Sequence, residues 1–216
     1  MELNEAEKEL RSDQKIYGIV SAQIDILDRE DAYSRAMCAK LRRAVGKSPG
    51  QIPEIWDVTL KGMPTDWQSR DGNPSYAEWS IHTALTLYAM HRQAKDRSMN
   101  FKGVSFGAAA ARLVQGDDDR KSVTQRFNAV ATAMDFTEIA YHARGLVQLF
   151  KANDIGMDYP QFACDLYNSQ FVGGADRVRL KWGEDFYRTD KIEQAEINRE
   201  ESKSNTESNS KIEGSD

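Results

Sequence analysis

Very little in this chain is equipped for covalent chemistry or for holding a metal. Its 216 residues include two cysteines, three histidines and five prolines. Cys38 and Cys164 lie far apart and neither belongs to a CxxC pair, so reduced, packed thiols are expected instead of a disulfide or a zinc site. His82 and His91 are nine residues apart, share no helix face and have no acidic pair to complete a ligand set; both are expected as hydrogen-bonded or surface histidines. His142 follows Glu138 by one helical turn, which reads as an intrahelical pair. With no glycine-rich phosphate loop and no convergent nucleophile and base, a non-enzyme is expected, without metal or other cofactor. No apolar run approaches the length of a bilayer span, and MELNEAEKEL lacks the basic and apolar regions of a signal peptide, so a cytoplasmic protein is expected. Sustained polar–apolar alternation is missing too. That argues against a sheet and for an all-α fold.

What is present suffices for a core: 40% of the residues are apolar. The formal charge of -5 looks hostile to a polyanion, but it is unevenly spread. Residues 1–14 form an acidic lead-in, expected either to fray or to extend the first helix, and residues 190–216 hold eight acids against four bases. The remaining body carries 23 Lys and Arg against 21 Asp and Glu, so a local basic face remains open to it. Beyond residue 189 apolar periodicity stops, and the tail is expected to be disordered.

Helical spacing organises the body into two small bundles, expected over 15–97 and 98–189, with the polar connector AKDRSMNFKG between them. Ile16, Ile19, Val20, Ile24 and Leu27 mark one helix; Met37, Leu41 and Ala44 mark a second, starting near Asp31. Arg42, Arg43 and Lys47 crowd the end of that second helix, either to complement its macrodipole or to contact phosphate. A short helix through Ile55 and Trp56 follows, then an unpatterned stretch from Gly62 to Ser75 with Trp67 tucked beneath it, and a long, well-buried helix from Tyr76 to about Ala94. SFGAAAARLV is a short helix, and Asp117, Asp118 and Asp119 after it read as loop and N-cap residues, not as metal ligands. Phe162, Leu166 and Phe171 mark a helix closed by Gly173 and Gly174, and the last helix turns Val178, Trp182 and Phe186 inward, with Arg177, Lys181 and Arg188 on an outer stripe.

The stretch from Lys121 to Lys151 carries the clearest signal. Val123, Phe127, Val130 and Met134 form one apolar series, and Phe136, Ile139, Ala140, Ala143, Leu146, Val147 and Phe150 form the next. Asp135 with Glu138 has the form of an N-cap and its reciprocal partner, so the chain should turn a corner between two helices there. Outside the second stripe, Thr137, Tyr141, Arg144, Gln148 and Lys151 make a polar ridge, with Arg126 beside it. Such a ridge is either a solvated face or a track for a nucleic-acid backbone. Residues 105–133 also have the outline of a helix-turn-helix, which any helical hairpin supplies.

Several of these stretches, in order, resemble the CasB family, the small subunit of the type I-E CRISPR surveillance complex Cascade: CAKLRRAVGKSPGQIPEIW, LYAMHRQA, GVSFGAAAARLV, TQRFNAV, YHARGLVQLF and VRLKWGEDFYR. The resemblance implies an all-helical, non-catalytic subunit carried as two copies beside the other Cascade subunits. Its basic surfaces would hold guide RNA, target DNA and the displaced strand, and so stabilise the R-loop. Carried to matching positions, the expected nucleic-acid contacts are Arg42, Arg43, Arg126, Arg144, Arg177, Arg179 and Lys181, joined by Lys102 next to GVSFG and by Lys151 on the ridge. The chain departs from arginine-rich members at Ala108, Thr132, Asp135 and Gly145, which implies weak binding by the isolated protein. Two other readings stand beside this one: a helix-turn-helix regulator, and a helical scaffold that touches no nucleic acid.

Overall fold

The computed structural model describes the backbone of residues 5–212 and the side chains of residues 12–193, Asp117 excepted. Among these residues the regular structure is helical: α1 (Glu5–Leu27), α2 (Ala32–Arg43), α3 (Trp56–Thr59), α4 (Tyr76–His91), α5 (Phe106–Ala111), α6 (Asp117–Ala131), α7 (Phe136–Ala152), α8 (Tyr159–Asn168) and α9 (Gly174–Ile212). Among the described residues, one isolated parallel bridge joins Asn100 to Met157 outside the helices.

Helix α4 is apolar almost all round, so it has to lie in the middle. Ser75 starts it with a complete capping box: the Glu78 N–H donates to Ser75 Oγ at 3.2 Å and the Ser75 N–H to Glu78 Oε2 at 2.7 Å. α1, α2, α7 and α8 pack around α4, α9 covers α5, and α6 lies against α7. One apolar cluster runs from Ile16 to Phe186 through every helix between them. The turn after α4, where the bundle boundary is expected, is sewn to the segment before α8 by Phe101 N–H to Met157 O at 2.9 Å and Met157 N–H to Met99 O at 3.2 Å. Asp158 completes the seam, accepting from Gly103 N–H at 2.8 Å, Gln161 N–H at 2.9 Å and the Tyr17 hydroxyl at 3.3 Å.

Several expectations shift in detail. The acidic lead-in extends the first helix from Glu5, and Asp13 is tied to α8 by Asn168 Nδ2 at 2.9 Å. The α6–α7 corner comes earlier than the apolar spacing implies: α6 ends at Ala131, Ala133 takes the buried place, and Met134 stands 87% exposed. Asp135 caps α7 as expected, but Glu138 reaches back to the Met134 N–H, one residue before the cap. α8 ends at Asn168, so Phe171 lies beyond the helix, with its ring edge-on to Tyr76 and Tyr167. His82 and His91 are fully buried and not on the surface. His91 Nδ1 bonds the Tyr159 hydroxyl at 2.9 Å, whereas the carbonyls of Ala44 and Lys47 approach the His82 ring without a well-formed hydrogen bond to either nitrogen.

The folded body also runs further than the composition suggests. Asp190 is buried against Arg120, and Glu193 pairs with Arg112 at 3.5 Å. The side chains beyond Glu193, where the rest of the expected disordered tail falls, lie outside the described residues. Among the described residues no helix is long and apolar enough to cross a membrane.

Candidate nucleic-acid interface

Neighbouring helices joined by a tight corner can bring their polar faces side by side, and this is what α6 and α7 do. Ser122, Gln125, Arg126 and Ala129 fall at helical spacing on α6, and Tyr141, Arg144, Gly145 and Gln148 on α7. Between them lies a groove of about 670 Å³. Arg126 and Arg144 line it from opposite helices, both exposed and both without a carboxylate partner among the described residues. Tyr141, 71% exposed, presents an aromatic face at the same groove. His142 lies beside it, 3.9 Å from Glu138 one turn back. Two guanidinium groups facing an open groove suit phosphate oxygens, which accept the two parallel N–H donors that each guanidinium presents.

The other expected contacts distribute differently. At the far end of α7, Lys151 lies within electrostatic reach of Arg42 and of Lys95. Lys151 lies in the last turn of α7 and donates to Gln93 Oε1 at 3.2 Å. Its ammonium is held below the ordinary lysine range, chiefly by partial burial and then by repulsion from Arg42 and Lys95. Arg43 points to Glu54 at 3.8 Å, with both side chains more than half exposed, a pair of little energetic weight. Lys102 stands exposed on the turn that Gly103 closes with a positive φ.

On α9 the cations serve the fold. Arg179 donates to the Ala133 carbonyl at 3.3 Å and pairs with Asp176 at 3.3 Å, bracing the α6–α7 corner. Lys181 holds the buried Asp165 at 2.9 Å, Arg188 pairs with Asp185, and Arg177 is exposed near Gly173. The groove thus gathers Arg126 with Arg144, while Arg42 acts on Lys151 only electrostatically. Arg43, Lys102, Arg177, Arg179 and Lys181 do neither. Sequence patterning does not single out Ser122 and Gln125 in the groove, nor Gln93 and Lys95 at the far corner; the first two are legible as the polar face of α6, the others are not.

Comparison with known proteins bears on this architecture. No curated sequence gives a match. The chain is similar to CasB from Thermobifida fusca at 29% identity, with a TM-score of 0.68 over 79% of this chain and 97% of that one. CasB from Thermus thermophilus aligns at 20% identity with a TM-score of 0.60, covering 81% and 97% of the two chains. A chain of a CRISPR RNA-guided surveillance complex aligns at 19% identity with a TM-score of 0.64, covering 86% and 98%. The family model for CRISPR-associated protein Cse2 matches residues 37–187, which include α6, α7 and the groove between them. The chain belongs to the CRISPR-associated protein Cse2 family.

Proposed function

We propose that this protein is a non-catalytic small subunit of a type I-E CRISPR RNA-guided surveillance complex, present in two copies among the other Cascade subunits in the cytoplasm. There it contacts guide RNA, target DNA and the displaced strand, and stabilises the R-loop. Family membership supports the assembly. The nucleic-acid role rests on one observation: Arg126 and Arg144 face each other across an open groove, with no carboxylate among the described residues to neutralise them. Exchange of DNA duplex for RNA–DNA heteroduplex is close to energetically balanced, so a few phosphate contacts from protein are enough to shift it.

The helix-turn-helix reading is less well supported. α5 has six residues, is covered by α9, and has Gly107 against the Trp182 carbonyl, so it does not stand free to brace a recognition helix. The exposed arginine of α6 instead pairs spatially with α7.

The test is charge reversal, Arg126→Glu with Arg144→Glu, in the assembled complex. Target-DNA binding should weaken and its dependence on salt should become shallower, by about 0.7–0.9 in the log–log slope for each phosphate no longer held. Unchanged binding would leave a scaffold with merely solvated arginines, and preference for one duplex sequence would favour the regulator.

A further inference from the structure

Four exposed apolar side chains meet where the α6–α7 corner faces the turn between α8 and α9. Met134 and Tyr76 both line one cavity of about 360 Å³, and at least half of each stands in solvent. Phe171 sets its ring edge-on to Tyr76 with 5.5 Å between centroids, and Val172 follows it, fully exposed. The cavity wall between them is apolar as well, made by Phe136, Ile139 and Val178. It shares no residue with the groove that holds Arg126 and Arg144. Scattered exposed apolar residues are ordinary, but a contiguous set around a cavity marks a surface that something covers.

The backbone explains how these side chains come to point outward, not why they are apolar. Met134 is turned out by the corner that Asp135 and Glu138 fix, and Phe171 and Val172 lie on the turn that Gly173 closes with a positive φ. Charge indicates what fits against them. At the Met134 end the ionised groups are Asp135, Glu138 and Asp176 against Arg179. Arg179 is already taken by Asp176 and the Ala133 carbonyl, each at 3.3 Å. Among the described residues no Lys or Arg pairs with Asp135 or Glu138; Glu138 has His142 at 3.9 Å, and Arg177 stands at the other end, beside Gly173. A polyanion is repelled at this corner, whereas a cation next to an apolar anchor is attracted.

We infer that this face docks the chain onto another protein of the complex, through a segment whose large apolar side chain enters the cavity and whose flanking Lys or Arg lies over Asp135 and Glu138. The inference rests on the protein being a subunit of that complex, and adds which face holds it there. A symmetric second copy is the poorer occupant, because a two-fold axis through the patch would bring the same acids of the two copies together. The chain's own C-terminal segment is poorer too, since residues 194–216 carry six acids against three bases.

In the experiment the complex is assembled from its other subunits without this chain, and the full chain is then titrated in, with occupancy read by native mass spectrometry. Met134→Glu with Val172→Glu should lower the apparent affinity at least about tenfold, the effect of charging an apolar anchor. Met134→Lys with Val172→Lys should lower it further, since the incoming segment is basic, and Met134→Leu should assemble as the wild type does. All of these variants should melt with the wild type, because both side chains stand outside the core. Wild-type affinity in both charged pairs would overturn the docking face and leave the subunit reading intact. Failure of the wild type itself to assemble would bring down the subunit reading, and the face with it. A lysine pair that assembles as well as the glutamate pair, or better, would overturn the basic partner. A clearly lowered melting temperature would assign the two residues to the fold and overturn their docking role. Sedimentation of the isolated chain covers the remaining occupant: self-association that the charged pairs abolish, with assembly unchanged, would make the face a contact between copies and overturn the second protein.

Discussion

At Asp165 a single buried carboxylate decides the role of a residue that looked available for binding. Its Oδ1 accepts from Lys181 Nζ and Gln161 Nε2, each at 2.9 Å, and its Oδ2 accepts from the indole N–H of Trp182 at 2.7 Å. Removing this acceptor strands the Trp182 donor in the core, so Asp165→Ala should cost about 2–3 kcal/mol in a denaturant titration. Lys181→Ala leaves that buried carboxylate without its counter-charge, but the ammonium is half exposed and partly screened by water, so the change should cost less than Asp165→Ala, about 1–2 kcal/mol. It should leave the salt slope of strand binding where the wild type has it; a slope shallower by one full phosphate would return Lys181 to the interface. Nothing local in the sequence marks this difference. Arg144 and Lys181 are both cations on an outer helical stripe, and what separates them is a carboxylate sixteen residues from Lys181, brought close by the packing of α8 on α9.

At the scale of elements, two glycines inside helices make opposite predictions. Gly107 on α5 lies so close to α9 that an added Cβ would sit 2.1 Å from the Trp182 carbonyl oxygen. Gly107→Ala must push the two helices apart and should cost about 3 kcal/mol, read as a lowered midpoint in thermal or denaturant unfolding. Gly145, in the middle of α7, has nothing within 4 Å of such a Cβ. Gly145→Ala should therefore stabilise α7 by about 0.5–1 kcal/mol. The new methyl would stand in the groove between Arg126 and Arg144, so strand affinity should fall as stability rises. Melting and anisotropy on one preparation check both signs. The helices themselves are readable from the spacing of apolar residues, as are the Asp135 cap and the inward Val178, Trp182 and Phe186. Where that reading fails, a competing local rule has won. Met134 continues the apolar period, but Asp135 and Glu138 capture the corner backbone and turn it out; Phe171 follows the α8 pattern, but the helix has already closed. The groove is half legible, since the facing polar stripes can be counted along each helix while their juxtaposition depends on the corner.

For the whole molecule, α4 is the shared element: α1 and α2 pack on it from the part of the sequence before it, α7 and α8 from the part after it. With the apolar cluster continuous through it, calorimetry and tryptophan fluorescence should report one coincident unfolding transition. The same central helix sets the response to acid. Burial drives the His82 and His91 rings down to about 4, with Lys95 and Lys151 adding repulsion at His91. The unfolded chain takes up protons at these rings near pH 6.5 while the folded chain refuses them until about pH 4. In that window unfolding is favoured by protonation, so stability is full above pH 6.5 and falls as the pH drops, at up to about 1.4 kcal/mol per pH unit for each ring. Paired carboxylates act lower: Asp154, held below its ordinary range by Lys95 and Arg97, keeps its charge until the histidine window has closed. Chemical denaturation at a series of pH values should show the decline beginning near pH 6.5. His82→Gln should remove about half of the slope between pH 6 and 5, and adding His91→Gln most of the remainder; a double variant as acid-sensitive as the wild type in that interval would mean that the two rings are not what couples proton uptake to the loss of the core.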